Sequence, residues 1–192
     1  MGEQLTREDF VLGSGLIDDF DGTVVSAIFG QPPADYIAKA TISGDEIPAW
    51  VYLTIQPVGE NADMQAIEQG YGCGKGNKWI ISDDGKSVES EKSPDKKVYN
   101  KNSRAGQLVA AMMTAAGNGN LVAGQEFFLA RGTPMTNSDF FVGMTFHWSR
   151  KTMVTSIDGK SQSTDVLLPA AFISAGKPSA KVGSKQGSPK VK

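Results

Sequence analysis

The clearest alternation of apolar and polar positions runs through residues 140–151. Phe140, Val142, Met144, Phe146 and Trp148 are apolar, while Gly143, Thr145, His147 and Ser149 are small or polar. A period of two predicts a strand with one buried face. Residues 49–56 repeat the pattern, with Val51, Leu53 and Ile55 forming an aliphatic face and Trp50, Tyr52 and Thr54 the other. Shorter apolar runs predict further strands at residues 23–29, 36–42, 78–82 and 164–173. The first is led by a Phe20-Asp21-Gly22-Thr23 turn and stopped by Gly30 and the Pro32-Pro33 pair; Gly44-Asp45-Glu46 turns the second into the strand at 49–56. In the last, Pro169 implies an edge position or a bulge, because proline cannot donate to a ladder.

Helical periodicity is convincing once, at Arg104–Ala116. Ser103 is a good N-cap, Gly117 a natural stop, and Leu108, Met112 and Ala115 form an apolar stripe widened by Val109, Met113 and Ala116. That stripe is expected to pack on a sheet, with both methionines as core filler. Residues 57–77 read as a long connection with a helical turn near 62–69, and residues 86–101 as an exposed loop or hairpin. Residues 126–130 fit either a strand or a short helical continuation. The fold class predicted is mainly β with one principal helix.

Composition changes this picture little. A chain of 192 residues with 40% hydrophobic content can bury a core as one domain, and 22 Gly and 9 Pro favour turns and short strands. The expected organisation is a flexible N-terminal arm (1–15), a β domain (16–174) and a disordered tail (175–192) with five lysines and no acid. No apolar run approaches a membrane span, and the acidic start lacks the features of a signal peptide, so a soluble, cytoplasmic protein is expected. One Cys excludes an internal disulfide framework, and one Cys with one His does not make a zinc set.

Charge is distributed unevenly. Residues 1–70 carry two basic residues, Arg7 and Lys39, against twelve acids, and the rest of the chain carries 17 basic residues against nine acids. Such a split marks either a polyanion-binding face or a merely solvated surface.

No catalytic signature accompanies it. The G-x-S-x-G and H-E-x-x-H patterns are missing, and a Cys73–His147 dyad would place its nucleophile in a glycine loop. Asp18, Asp19 and Asp21 lack the spacing of a calcium loop and read as a solvated turn. The glycines around Gly74-Lys75 fail the phosphate-loop pattern, since Gln69 and Gly76 stand where Gly and Ser or Thr are needed. No catalytic residue, metal or cofactor is expected.

What remains is aromatics among cations. Trp50 and Tyr52 form a stacking platform unless a second layer covers them; Lys75 and Lys78 lie between Tyr71 and Trp79; Lys97, Lys101 and Arg104 surround Tyr99; Arg150 and Lys151 follow Trp148. Rings with neighbouring Lys and Arg suit single-stranded nucleic acid, where bases stack and phosphates are neutralised.

Phe20-Asp21-Gly22-Thr23 before the first strand, Lys101-Asn102-Ser103 capping the helix, and Gly143-Met144-Thr145-Phe146-His147-Trp148 on a late strand resemble phage-encoded single-stranded-DNA-binding proteins of the OB-fold type. The resemblance spans about residues 16–173 and implies an OB-like, partly open five-stranded barrel with a helix inserted before the last strands. It also implies sequence-tolerant binding of single-stranded DNA in phage replication or recombination, with RNA, self-association and replication or recombination proteins left open as partners. Proteins of this class often end in an acidic tail, and the basic tail here points instead to contact with an acidic surface. The alternatives are a phage structural or host-factor-binding protein with Trp50 and Tyr52 as interface anchors, and a barrel holding a small ligand.

Overall fold

A computed structural model describes residues 19–157 and 160–176, with side chains from 153 to 164 excepted. The predicted arm, residues 158 and 159, and nearly all of the tail lie outside these residues. The described chain is mainly β, with 37% strand against 27% helix. Strands β1 (Asp19–Gly30), β2 (Trp50–Pro57), β3 (Ile67–Gly72), β6 (Met144–Ile157) and β7 (Lys160–Ala175) form one antiparallel sheet in the order β3-β2-β1-β6-β7. Between β3 and β6 lie a two-stranded hairpin, β4 (Trp79–Ile81) with β5 (Val88–Ser90), and the helices α2 (Arg104–Ala116) and α3 (Leu121–Arg131); α1 (Ala34–Ser43) joins β1 to β2.

The inner face of the sheet follows the alternation of the sequence. Val51, Leu53 and Ile55 of β2 and Met144, Phe146 and Trp148 of β6 are buried, beside Phe20, Val24, Ala27 and Phe29 of β1. A bulge between Val24 and Ser26 keeps both halves of β1 directed inward. On this core packs the predicted stripe of α2, whose Ser103 hydroxyl accepts the Gly106 N–H. α3 lies close beside α2, because Gly124 leaves room for the Met113 carbonyl.

The edge strands β3 and β7 do not pair, yet the sheet is strongly curled. Flat, its two edges would be four strand spacings apart, roughly 19 Å. Instead the buried Tyr71 hydroxyl on β3 donates to the Leu167 carbonyl on β7 at 2.6 Å. α2 packs against both edge strands and fills the opening between them. Beyond Ser149, β6 and β7 continue as a two-stranded ribbon past the described end of β1, with Arg150 and Lys151 at its base.

Several expectations are corrected. Residues 36–42 are helical rather than a strand. Gly44 at φ 67° closes that helix, with its N–H on Thr41 O and the Asp45 N–H on Ala40 O, so the presumed inter-strand turn is a helix C-cap. The Phe20-Asp21-Gly22-Thr23 turn is part of β1, where the Trp148 indole donates to the Gly22 carbonyl at 2.9 Å. The long connection contains β3; of the two readings open for residues 126–130, the helical one holds, within α3. Phe140 and Phe141 precede β6 in a buried turn of 3-10 helix, which Gly143 leaves at φ 81°. One principal helix becomes three α-helices among the described residues. Pro169 lies on an edge strand beside a register shift, which reconciles it with the ladder.

Candidate nucleic-acid interface

The side of β2 opposite the core presents Trp50 and Tyr52, two positions apart and half-buried. Their rings are near-parallel, 28° apart with centroids at 6.0 Å. They lie flat because the facing positions of β3 are glycines: Trp50 pairs with Gly72 and Tyr52 with Gly70. A Cβ on Gly70 would come within 2.8 Å of both rings. Glycine thus supplies the floor on which the aromatics rest.

Neighbouring elements fix the pair. The Tyr52 hydroxyl donates to Gln31 O at 2.7 Å, and burial raises its pKa. Tyr36 of α1 meets the Trp50 ring edge-on at 5.9 Å, and the Arg104 guanidinium at the start of α2 stands 5.9 Å from its centroid, at the limit of cation–π range. Beside Tyr52 on β1, Ile28 is 48% exposed. Neither Tyr36 nor Ile28 is a candidate from the sequence, where each falls within a run that predicts a strand with no face distinguished.

The remaining candidates do not gather at one place. Lys75 and Lys78 lie in the glycine loop that follows β3, but each meets an acid: Lys75 pairs with Asp45 at 3.1 Å and Lys78 with Glu91 at 3.5 Å. Trp79 is half-buried, its indole donating to Gly74 O at 3.2 Å. Tyr99 is corrected to a core residue: it is 7% exposed, donates to Met135 O, and packs edge-on against Trp79, so its ring offers no face to a base. Lys101 lies in the turn before α2, its Cα close to Gly106. Lys97 instead borders an apolar cavity of about 480 Å³ between α3 and the Val98 and Pro134-Met135 loops. Arg150 and Lys151 are removed from Trp50 by nearly the full 12-residue length of β1, roughly 36 Å along the strand.

A second polar cluster lies toward that far end. His147 sits between two carboxylates, Nε2 at 2.6 Å from Asp19 and Nδ1 at 2.8 Å from Asp21. The Asp21 hydrogen bond raises the His147 pKa, burial opposes it, and Asp19 adds to the rise. Of the acids read as a solvated turn, Asp19 and Asp21 are therefore strand residues clamping an imidazole, and Asp18 lies outside the described residues. Cys73 does not join them: it is buried in the core, and burial pushes its thiol well up. Among the described residues no group of His, Cys, Asp and Glu is arranged to hold a metal ion, and no helix is long and apolar enough to cross a membrane.

Comparison with family models, curated proteins and solved structures finds no match for the chain.

Proposed function

We propose that the curled sheet is an OB-like, partly open barrel and that its β2–β3 face binds single-stranded nucleic acid, DNA first, without regard to sequence. The observation that carries this reading is the pair of near-parallel rings, Trp50 and Tyr52, laid on the glycines of β3 with Arg104 beside them. In OB-folds the strand 2–3 face is where oligonucleotides bind. Five strands in one antiparallel sheet, helices inserted before the last two, and edges bridged by Tyr71 and Leu167 support the barrel.

Bases would stack on Tyr52 and Trp50, each ring contributing about 1–3 kcal/mol per base, and Arg104 would meet the phosphates beside them. Stacking on one open face tolerates any base, since all four present a π surface. The exposed side chain of Ile28 beside Tyr52 equally favours a protein partner with an apolar anchor, a second reading for the same face. Tryptophan emission separates them. Oligothymidylate quenches the wild-type protein and leaves Trp50→Phe nearly unquenched if bases stack there. Equal quenching in both proteins, or none in either, contradicts the proposal.

A further inference from the structure

The loop after β3 has the form of an anion site that the chain itself occupies. Two backbone donors, the N–H groups of Gly76 and Lys78, converge on the two carboxylate oxygens of Glu46, at 2.9 Å and 2.8 Å. The loop is shaped for this: Gly74 and Gly76 both have φ 92° and Lys78 has φ 46°. It is also held in place, as the Asn77 carbonyl accepts the Ser90 hydroxyl at 3.0 Å and its side-chain oxygen accepts Lys96 at 3.2 Å. Beside this fork, Asp45 pairs with Lys75. Two consecutive acids of the α1–β2 connection therefore cover two N–H groups and one ammonium of the glycine loop.

A carboxylate held by converging N–H donors is the geometry in which backbone nests take phosphate oxygens. Position ties the loop to the platform. It leaves β3 directly after Gly72, over which Trp50 lies, and residues 45 and 46 precede Trp50 by only a few positions. We infer that Asp45 and Glu46 are an internal surrogate for a nucleic-acid phosphate: they close a phosphate subsite at the end of the Trp50–Tyr52 platform and are displaced when a single strand binds.

This inference rests on the proposed single-strand function and names how that face is regulated. Without a ligand, the acids satisfy donors that would otherwise seek any anion. They tax every incoming phosphate by the cost of opening the clamp. The connection that carries them is anchored at one side by the α1 C-cap and at the other by β2, so its opening leaves both elements intact.

The test uses full-length protein, wild type, Glu46→Gln and Asp45→Asn, each checked for an unchanged melting temperature and circular dichroism spectrum. Removing either charge tightens binding of labelled oligothymidylate by about fivefold or more, the lower end of what coupling between competing contacts delivers. Unchanged or weaker binding by both folded variants overturns the inference. A second arm separates it from the function it rests on. Inorganic pyrophosphate, titrated while the Gly76 and Lys78 amide resonances are followed, shifts them in Glu46→Gln at lower concentration than in wild type. If neither protein shows a shift, no phosphate subsite exists there, whatever the oligonucleotide does. If pyrophosphate shifts these amides while no variant binds a single strand, the loop is an anion site and the single-strand function is wrong.

Discussion

The Trp50 ring lies over the backbone of Gly70, with no more space than a missing side chain leaves: a Cβ there would be 2.8 Å from Trp50 Cε3 and 2.8 Å from Tyr52 Cε1. The platform exists because its neighbouring strand is bare. Gly70→Ala must lift one or both rings, breaking the Tyr52–Gln31 hydrogen bond or the Tyr36 contact. It should cost about 1 kcal/mol in urea unfolding and weaken oligonucleotide binding. Alanine at Gly132, where nothing lies within 4 Å and φ is 69°, should strain its own backbone and leave binding unchanged.

How much of this was legible in the sequence depended on whether a residue's neighbours were local. β2 and α2 announced themselves because Val51, Leu53 and Ile55, or Leu108, Met112 and Ala115, repeat at the period of their element, and Ser103 caps its own helix. α1 did not, because Ala40 is its one buried residue and no stripe forms, leaving Tyr36, Ile37 and Ile42 to suggest a strand. β3 was hidden by the very glycines that make it useful. The curl of the sheet depends on Tyr71 meeting Leu167, 96 positions later, and no local pattern encodes that. Of the site, Trp50 and Tyr52 were visible in the alternation. Their separation from Arg150 and Lys151 was not, nor was the covering of the glycine loop by Asp45 and Glu46, since both depend on register and long-range contact. Tyr99, in a Lys-rich stretch, looked exposed, and only its partners Met135 and Trp79 reveal it as core.

The bridge across the sheet edges has a definite expected cost. Tyr71→Phe keeps the ring and removes the donor, leaving the Leu167 carbonyl without its partner from β3 in a buried site. A loss of about 1–2 kcal/mol in unfolding free energy is expected. Hydrogen exchange should accelerate in β3 and β7 more than in β1 if the bond holds the edges together.

Contact between α2 and α3 leaves no room for even one methyl group. A Cβ on Gly124 would fall well inside van der Waals distance of the Met113 carbonyl oxygen. Because the obstacle is backbone, Gly124→Ala should destabilise the protein by more than about 2 kcal/mol, read as a lowered urea midpoint with unchanged slope.

His147 predicts a pH dependence of known sign. Its pKa is raised in the folded protein, chiefly by the Asp21 hydrogen bond, so the folded state binds the proton more tightly than the unfolded state. The stabilisation is fully present below the unfolded value of about 6.5 and is lost as pH rises through the raised folded value. Asp21→Asn should lower the His147 pKa measured by NMR, and the difference in melting temperature between wild type and this variant should shrink on going from acidic to alkaline pH.

The most direct measurement is fluorescence anisotropy of a labelled single strand of about 30 nucleotides, beside its duplex, titrated with the wild-type protein and with Tyr52→Ala at two salt concentrations. The single strand should bind more tightly than the duplex, weaken with added salt, and lose about tenfold or more in affinity in the variant, the loss of one stacking ring. Equal binding of single strand and duplex, or an affinity indifferent to Tyr52 in a folded variant, would contradict the account: the β2–β3 face would then not be a nucleic-acid site.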